Sequence, residues 1–395
     1  MTHLFLEFVL VACIVVFVYH HVIYPVLVKV LARRLRGHMA LKPPVADGAL
    51  PRVAVVMPAY NEANFIAEKI RNLAELDYPR DRLRVIIALD GCTDATQQRA
   101  EAAIAALPPG HGMELIVYAR NRGKVAVLND RIGAVDSDIV MLTDASAMIR
   151  PAAVRQAAAH FADERIGVVF GTYRLREAGS EGERAYTNYQ TQMRADEGVL
   201  DAPMGGHGAL YFFRRNLWQR MPADTINDDF ILPMTIVANG ARAIYDQAIV
   251  AEELERTHST QEFKRRVRIG AGNLQQAVRL TRLASPRRPW LAFTFLSGKG
   301  SRPFMPFIGI LAVAVTAKLA ADGSGFFTFL LMLEAMILTT AGLVIVLRPS
   351  GTPRILAWLA YLVEGHFASF VGAMQVILGL RLKHWQPEVT DVAPR

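Results

Sequence analysis

The sequence predicts an α/β domain joined to several transmembrane α-helices. The chain has 395 residues and a formal net charge of +8; 52% of the residues are hydrophobic and 20% are charged. This composition excludes an intrinsically disordered protein and fits poorly with a wholly water-soluble one. Two further observations predict the two parts of the fold. The chain contains four long apolar runs, and strand and helix patterns alternate in the stretch that follows the first of them.

The four apolar runs have the length of membrane-crossing helices, which need roughly 20 residues to cross a hydrocarbon core. They cover residues 4–28, 304–321, 326–347 and 355–380. No comparable run occurs between Arg33 and Arg302, so one large water-facing domain is predicted there. The predicted segments are an amino-terminal anchor (1–37), the large domain (38–290), and an interfacial segment followed by further membrane helices (291–395).

Basic residues beside the apolar runs predict the orientation of the chain. Arg33, Arg34 and Arg36 follow the first run, whose amino end lacks Lys and Arg; a cleavable signal has the reverse charge order. By the positive-inside tendency, these arginines predict a multi-pass protein of the inner (plasma) membrane with its large domain in the cytoplasm. The basic excess then belongs beside the membrane lipids, and no nucleic acid partner is needed to explain it.

The end of the chain conflicts with this orientation. Three crossings after residue 304 would place Arg381, Lys383 and His384 outside, against the positive-inside tendency. Alternatively, the run over residues 355–380 is re-entrant or lies partly in the interface. Both alternatives stay open at this point.

Strand and helix patterns alternate through the large domain. Short apolar runs predict strands, and apolar residues at helical spacing predict the helices between them. The strands cover residues 53–57, 85–89, 115–118, 139–143 and 208–213, and the helices cover residues 62–76, 94–107, 124–134, 228–238 and 261–282. This alternation predicts a sheet with crossover helices. Ligands of such sheets bind at the carboxyl ends of the strands, where Asp90 and Asp144 lie.

Two common phosphate-binding motifs are absent from the sequence. No G-x-G-x-x-G follows the first strand, which disfavours a dinucleotide fold, and no G-x-x-x-x-G-K-[ST] is present. Any nucleotide bound here must have its phosphates neutralised in another way. An aspartate that holds a divalent cation is the obvious means.

Three acidic positions can carry chemistry, and each also has an ordinary structural explanation. Asp90 can accept a hydrogen bond from a base or sugar, or can stabilise a turn. Asp144-Ala145-Ser146 can offer oxygen ligands to Mg²⁺ or Mn²⁺, or can form an Asx turn. In Asn227-Asp228-Asp229 one residue is expected to cap the following helix, and the spare carboxylate can be a general base.

Basic, glycine-rich and intramembrane polar residues complete the candidates. Arg265 and Arg268 share one face of a basic helix and can bind a diphosphate, whereas the neighbouring Arg266 is expected to rest on lipid headgroups. Gly205-Gly206-His207-Gly208 permits close backbone approach to a ligand, with His207 interpreted as a hydrogen-bonding residue. Polar residues within the apolar runs either face a polar pathway or lie near the interface. They are Glu7, His20, His21, Glu334, Glu364 and His366.

The two cysteines lie in very different settings, so no disulfide is expected between them. Cys13 is inside the first apolar run, and Cys92 is in a polar loop. Because Cys92 precedes a predicted helix start, it is expected to be a reactive thiol.

In order and together, the motifs resemble those of the membrane-bound family 2 glycosyltransferases, which include the synthases of cellulose, hyaluronan and poly-N-acetylglucosamine. The resemblance covers residues 52–290 and the membrane arrangement. The matching elements are Pro58-Ala59-Tyr60-Asn61-Glu62, Asp90-Gly91-Cys92-Thr93-Asp94, Asn121-Arg122-Gly123-Lys124, Asp144-Ala145-Ser146, Asn227-Asp228-Asp229-Phe230 and Arg265-Arg266-Val267-Arg268-Ile269. The resemblance implies a GT-A fold that binds a nucleotide sugar, usually a UDP-sugar, with Mg²⁺ or Mn²⁺, and transfers the sugar with inversion.

The resemblance also implies roles for individual residues. Asp90 would contact uracil, and Asp144 would hold the metal with Ser146. Asp229 would be the catalytic base, with Asp228 beside it. The residues implied in nucleotide-sugar binding are Pro58, Tyr60, Glu62, Asp90, Lys124, Asp144, Arg265 and Arg268, and those implied on the acceptor side are Gly206, His207 and Ile269.

Three departures from the family pattern affect the metal-binding element, the element that contains the base, and the position used for acceptor retention. Asp144-Ala145-Ser146 lacks the second carboxylate of a D-x-D element, Asn227-Asp228-Asp229 replaces T-E-D, and Ile269 stands where processive members carry Trp. Three hypotheses follow. The protein extends a β-linked polysaccharide, adds a single sugar to a lipid or glycolipid, or is a non-catalytic sugar-nucleotide-binding membrane subunit. A partner subunit or an oligomer is compatible with each.

Overall fold

The computed structural model of the chain describes residues 2–35, 49–176, 181–255, 259–347 and 351–380. These residues form two compact units. The sheet unit takes in described residues 34–176 and 190–255, and the helical unit takes in described residues 2–33, 181–189 and 259–380.

The strands and helices follow one another in a mixed order along the chain. The strands are β1 (Val53–Ala59), β2 (Leu83–Asp90), β3 (Met113–Tyr118), β4 (Ile139–Thr143), β5 (Ala147–Ile149), β6 (Ile166–Leu175), β7 (Leu210–Arg214) and β8 (Arg242–Glu253). The helices are α1 (Thr2–Val18), α2 (Tyr24–Leu35), α3 (Ile66–Ala74), α4 (Thr96–Ala105), α5 (Lys124–Ala134), α6 (Ala153–His160), α7 (Glu181–Leu200), α8 (Asp228–Ala238), α9 (Ser259–Arg279), α10 (Pro289–Thr294), α11 (Met305–Ala321), α12 (Gly325–Leu347) and α13 (Arg354–Ile377).

Within the described residues, eight strands form one mixed sheet in the order β3-β2-β1-β4-β7-β6-β8-β5. β1 runs parallel to β2 and β4, and β3 runs parallel to β2, whereas β7 is antiparallel to β4 and β6. The loops that follow Ala59, Asp90 and Thr143 therefore meet at one edge of the sheet. The chain also changes its winding direction between β1 and β4, which is where α/β sheets bind their ligands.

The central strands supply the core of the sheet unit. Consecutive residues from Val53 to Met57 are at most 2% exposed, so both faces of β1 are covered. Burial on both faces explains why this strand is a continuous apolar run in the sequence, without alternation. Ile66, Ile70 and Leu73 of α3 pack into the same core.

The strands predicted at residues 53–57, 85–89, 115–118 and 139–143 are confirmed. The helix predicted from Glu62 begins later, because the carbonyl of Glu62 accepts the N–H groups of Phe65 and Ile66 in a turn. The helix predicted near Asp94 begins at Thr96, whose N–H group donates to the Asp94 carboxylate at 3.0 Å. The sequence did not predict α7 or the strands β5, β6 and β8, and these strands pair with partners far away along the chain.

Four helices of the described chain are long and apolar enough to cross a membrane. They are His3–Leu35, Pro289–Ala321, Gly325–Leu347 and Arg354–Ile377. They agree with the four predicted runs. The predicted segments 1–37, 38–290 and 291–395 stay predictions, and the packing groups α9 with the apolar helices.

Two glycines bring α9 and α13 into close contact. A Cβ atom at Gly372 would lie 2.1 Å from the carbonyl oxygen of Val267 and 2.5 Å from the nitrogen of Ala271. A Cβ atom at Gly270 would lie 2.6 Å from the Cα of Ser369. Backbone contact of this kind needs small residues on both helices, as is common where membrane helices cross.

Replacing Gly372 by Ala is expected to destabilise the helical unit by about 1–3 kcal/mol, because the methyl group would overlap the backbone of α9. Gly365→Ala in the same helix is the matched control, since a Cβ atom there meets no atom within 4 Å. Thermal unfolding of the purified protein in detergent measures both variants. Equal stability of the two would contradict the close contact between α9 and α13.

Candidate active site

Asp90 ends β2 and holds the loop that leads into α5. Its two carboxylate oxygens accept the backbone N–H groups of Arg122 and Gly123, each at 2.8 Å. Gly91 adopts φ +66°, and a Cβ atom there would lie 2.3 Å from the nitrogen of Asn121. The carboxylate thus fixes the position of the loop, which places the next residue, Lys124, at the first turn of α5. The uracil contact remains a prediction.

Lys124 joins the acidic residues at this edge of the sheet. Its Nζ atom lies 3.0 Å from Oδ1 of Asp144 and 3.6 Å from Oδ2 of Asp228. Burial disfavours the charged ammonium group, but the carboxylates of Asp144 and Asp228 outweigh burial and raise the pKa of Lys124. The lysine therefore stays positively charged at any physiological pH.

Gly208 separates two of the carboxylates. A Cβ atom at this position would lie 3.5 Å from Oδ2 of Asp229 and 3.7 Å from Oδ2 of Asp144. Because glycine has no side chain, position 208 places no atom of its own between these oxygens. Asp229 and Asp228 occupy the first turn of α8, where Asn227 stands at the N-cap position without a side-chain capping bond. One residue of the triplet thus stands at the cap as expected, although its side chain makes no capping bond.

The other predicted acceptor-side residues lie in the loop before β7. Gly205 adopts φ +80° against the ring of Phe230, and a Cβ atom at Gly206 would lie 2.0 Å from the ring of Phe170. The ring of His207 stacks on Tyr173 with the centroids 3.8 Å apart and the planes 4° from parallel. Packing thus accounts for both glycines, and the acceptor role of Gly206 and His207 stays a prediction.

The loop after β1 contains the remaining donor-site candidates. Pro58 and Tyr60 are half-buried at the end of β1, and Asn61 at φ +55° is tied to Thr93 by hydrogen bonds of 2.9 and 3.0 Å. Burial, and then the nearby carboxylates Glu255 and Asp144, raise the pKa of Glu62 to about 8. Glu62 therefore binds its proton more tightly than an exposed glutamate does, because it is buried and lies near other carboxylates.

The side chains around Asp144 fit a divalent cation whose coordination shell comes mostly from substrate oxygens and water. The described residues contain no group of three His, Cys, Asp or Glu side chains arranged to hold a metal ion. Ser146 is buried, and its hydroxyl group bonds to Glu253. Asp144 would thus be the main protein ligand, with phosphate oxygens and water completing the shell, which is a usual arrangement for Mg²⁺.

Arg265, Arg268 and Ile269 lie on α9 in the helical unit. The guanidinium group of Arg265 bonds to Glu262 at 3.2 Å. Arg266 pairs with Glu262 and Glu364, each at 2.8 Å, so the expectation that it rests on lipid headgroups is wrong. The roles of Arg265, Arg268 and Ile269 in substrate binding stay predictions.

Cys92 does not have the setting that was expected of a reactive thiol. The helix begins four residues later at Thr96, and the sulfur lies 3.7 Å from the carbonyl oxygen of Ala59. Burial raises the pKa of Cys92. The expectation of an activated thiolate is therefore wrong.

Lys69 is a functional candidate that sequence reasoning missed. It belongs to α3, its side chain is fully buried, and its Nζ atom donates to Thr143 Oγ1 at 2.8 Å and to the carbonyl oxygen of Ala147. These two acceptors lie on either side of Asp144. Burial lowers the pKa of Lys69 to about 7, against the opposing effect of the Asp144 and Glu253 carboxylates. The lysine thus holds the Asp144 turn from beneath.

Replacing Lys69 by Met is expected to raise the metal concentration needed for half-maximal transfer roughly tenfold, because the Asp144 turn loses the hydrogen bonds that fix it. If Lys69 supplied only positive charge, its removal would reduce repulsion of a cation and lower this concentration. A metal titration of the transfer reaction therefore distinguishes positioning from charge. Arg71→Met, at an exposed position of the same helix, is the matched control and should leave the titration unchanged.

The curated relatives include a probable glycosyltransferase YdaM of Bacillus subtilis (strain 168), 26% identical over 152 residues, which are 36% of this chain and 34% of that protein. A poly-β-1,6-N-acetyl-D-glucosamine synthase of Staphylococcus aureus (strain MSSA476) is 27% identical over 149 residues, 38% of this chain and 35% of that protein. The chain therefore spans about a third of the length of these relatives.

A solved structure and a family model are similar to this chain. A mannosyltransferase from Pyrobaculum calidifontis, solved in complex with GDP-Man and Mn²⁺, has a TM-score of 0.73 and 24% identity over 94% of this chain and all of that chain. This likeness confirms the α/β fold of the GT-A type. The model described as "Glycosyltransferase like family 2" matches residues 51–272. Because the match covers more than half of the sequence, the chain belongs to family 2 of the glycosyltransferases.

Proposed function

We propose that this family 2 glycosyltransferase transfers a sugar, with inversion, from a UDP-sugar to a growing β-linked polysaccharide at the membrane. The cluster of Lys124, Asp144 and Asp229 around Gly208 carries the proposal, because it places two carboxylates and a cation at the sheet edge where nucleotide ligands bind. The name of the Staphylococcus aureus relative supports a polysaccharide acceptor.

Asp229 is proposed as the base of the reaction. Its carboxylate would take the proton from an acceptor hydroxyl group as that oxygen attacks the anomeric carbon from the face opposite the diphosphate. The bond from the anomeric carbon to the diphosphate oxygen then breaks, and the configuration inverts. Because a nucleoside diphosphate is a good leaving group, no acid is needed on that side. Glycoside hydrolysis differs in this respect, since an alkoxide must leave.

Lys124 and Asp144 are proposed to manage the charge of the donor. A Mg²⁺ or Mn²⁺ ion at Asp144 would neutralise the diphosphate as charge develops on it. Lys124, held charged by Asp144 and Asp228, can turn to the phosphates when the donor binds. Asp228 would thus act beside Asp229 by keeping the lysine in place. Asp90, Pro58, Tyr60 and Glu62 are proposed to line the nucleotide side.

The chain is further proposed to be a multi-pass protein of the inner membrane with its sheet unit in the cytoplasm. The four apolar helices and the arginines after the first of them support this orientation. We expect a membrane-linked acceptor to reach the site from this side.

Transfer of a single sugar to a lipid or glycolipid is a second candidate function, and Ile269 is the observation that favours it. An aliphatic side chain at this position offers less flat surface to a sugar ring than the Trp of processive family members. The third hypothesis, a non-catalytic subunit, predicts that the purified protein transfers no sugar at all.

Replacing Asp229 by Asn is expected to lower the transfer rate roughly 10²-fold or more while UDP binding persists, in keeping with the usual contribution of a general base. The assay incubates purified protein with a panel of UDP-sugars and GDP-mannose in the presence of Mn²⁺ or Mg²⁺. Asp163→Asn, which removes a surface pair with Arg165, is the control that should keep its activity. Near-normal turnover by the Asp229→Asn variant would remove this residue from the base role.

Replacing Ile269 by Trp is expected to lengthen the products if acceptor retention at this position limits polymerisation. The products of both proteins are sized at the same donor concentration. Arg268→Ala is the companion variant, and it should reduce all products alike because its proposed role is in donor binding. Long polymer from the wild type, unchanged by Trp, would show that retention depends on other residues.

A further inference from the structure

A second concentration of polar groups lies in the helical unit, where two of the long apolar helices face each other. Each of these helices contains a π-helical turn, Tyr19–Ile23 in the first and Phe295–Lys299 in the second. The two turns are in contact: the Tyr19 hydroxyl lies 2.8 Å from Ser297 Oγ, and His20 Nδ1 lies 2.9 Å from the carbonyl oxygen of Ser297. Single π-helical turns within helices are frequent at functional sites.

Three histidines at this place share one hydrogen-bonding arrangement. Nδ1 of His20 bonds to the Ser297 carbonyl and also lies 3.0 Å from Ser301 Oγ. Nδ1 of His21 bonds to the Phe17 carbonyl at 3.0 Å, and Nδ1 of His366 bonds to the Leu362 carbonyl at 2.8 Å. Because a carbonyl oxygen can only accept, each Nδ1 is assigned the proton. Each Nε2 is then available, and within the described chain none of the three has a protein partner or is sealed from the surface.

The three rings form a continuous group. The centroids of His20 and His21 are 4.8 Å apart, and those of His21 and His366 are 5.0 Å apart. Phe17 stacks on His21 at 4.3 Å and closes one side. The group thus offers several polar nitrogens beside aromatic surface, inside an otherwise apolar set of helices.

Arg302 supplies a positive charge to this group. It interacts electrostatically with all three histidines, and its Nη2 atom donates to the Tyr186 hydroxyl at 2.7 Å. Within the described residues no carboxylate pairs with it. Arg266 in the same unit is different: it lies 3.9 Å from the ring centroid of Tyr361 and is neutralised by two glutamates.

A guanidinium group between apolar helices needs a counter-charge, because removing it from water is costly. Arg266 obtains one from the protein, and Arg302 does not. A metal ion on the three histidines would add further positive charge beside Arg302, and the described residues hold no group of three ligands with suitable geometry. The arrangement therefore favours an anion, and a planar guanidinium fork with a hydroxyl group suits a phosphate.

The surroundings indicate what carries the phosphate. The outer faces of the long helices are strongly apolar, with exposed side chains such as Val15, Val22, Ile310 and Leu311. A ligand that reaches Arg302 between such helices is one that dissolves in the membrane. Arg302 comes directly before the apolar run of residues 304–321, and His20 lies within the apolar run of residues 4–28.

We propose that Arg302, Tyr186, His20, His21 and His366 bind the phosphate group of a lipid whose hydrocarbon chain lies along the apolar helices. The phosphate accepts hydrogen bonds from the guanidinium group and from the Tyr186 hydroxyl group, and a protonated phosphate oxygen donates to Nε2 of a neutral histidine. These residues belong to the helical unit, whereas the carboxylates proposed for sugar transfer belong to the sheet unit. Binding of the phosphate is measured without turnover.

The experiment measures binding of farnesyl monophosphate to the full-length protein in a neutral detergent by native mass spectrometry, with farnesol as the uncharged control. The wild type is expected to retain the phosphate and not the alcohol. Arg302→Gln is expected to weaken binding roughly tenfold or more, as for loss of a charge-assisted hydrogen bond. Lys318→Gln is the matched control in the same apolar helix, because Lys318 pairs with Asp322.

Two further measurements keep the result interpretable. Binding of UDP reports that each variant is folded, and Arg302→Lys, which keeps the charge but loses the fork, is expected to bind with intermediate affinity. Dioleoyl phosphatidylglycerol and inorganic phosphate are added as competitors. Displacement by phosphatidylglycerol at equal concentration assigns the site to membrane phospholipid headgroups, and resistance to it assigns the site to a prenyl carrier.

Three outcomes would overturn the proposal. The first is equal binding of farnesol and farnesyl monophosphate. The second is unchanged affinity in a folded Arg302→Gln variant. The third is displacement of the ligand by cellotetraose or by Zn²⁺ in place of phosphate compounds, which would identify a saccharide or a metal site.

Discussion

Repulsion among carboxylates at the carboxyl edge of the sheet is the constraint on which the site depends. Asp144, Asp228 and Asp229 come together there because β1, β2 and β4 are parallel and α8 starts beside them. Lys124 offsets part of this negative charge, and Lys69 fixes the Asp144 turn through hydrogen bonds to Thr143 and Ala147. The diphosphate of a donor adds further negative charge, so a donor is expected to bind together with a cation.

Burial is the main cause of the shifted pKa values of two neighbouring groups. The pKa of Glu62 is raised to about 8, and that of Lys69 is lowered to about 7 by burial. Both groups can therefore change their charge when a cation and a diphosphate arrive. Burial at this edge makes the electrostatic interactions stronger than they would be in water, which benefits the transition state as well as the bound donor.

Sequence reasoning located most of the candidate site because its parts are local. Asp90 and Asp144 directly follow apolar strands, and the parallel order of those strands brings them to one edge. Lys69 escaped prediction because its acceptor Thr143 lies 74 residues away. The sequence did contain an indication of this role. Lys69 is at helical spacing from Ile66 and Leu73, so a charged residue lies on the apolar face of the helix.

Arg266 shows the same limit in the helical unit. The sequence places it on a basic helix, and a basic helix beside a membrane is expected to contact lipid headgroups. The structure instead places Glu364, 98 residues away, against it. Which arginine is neutralised within the protein depends on contacts between helices, so periodicity cannot separate Arg266 from Arg302.

The backbone conformation at Gly208 does not require a glycine. Its backbone does not have a positive φ, so an L-amino acid could adopt the same conformation. A methyl group there would come within 3.3 Å of the Cβ of Asp229 and would fill the gap between the carboxylates. An alanine at position 208 would thus keep the backbone conformation while reducing the volume between Asp144 and Asp229 that a metal-bound diphosphate could occupy.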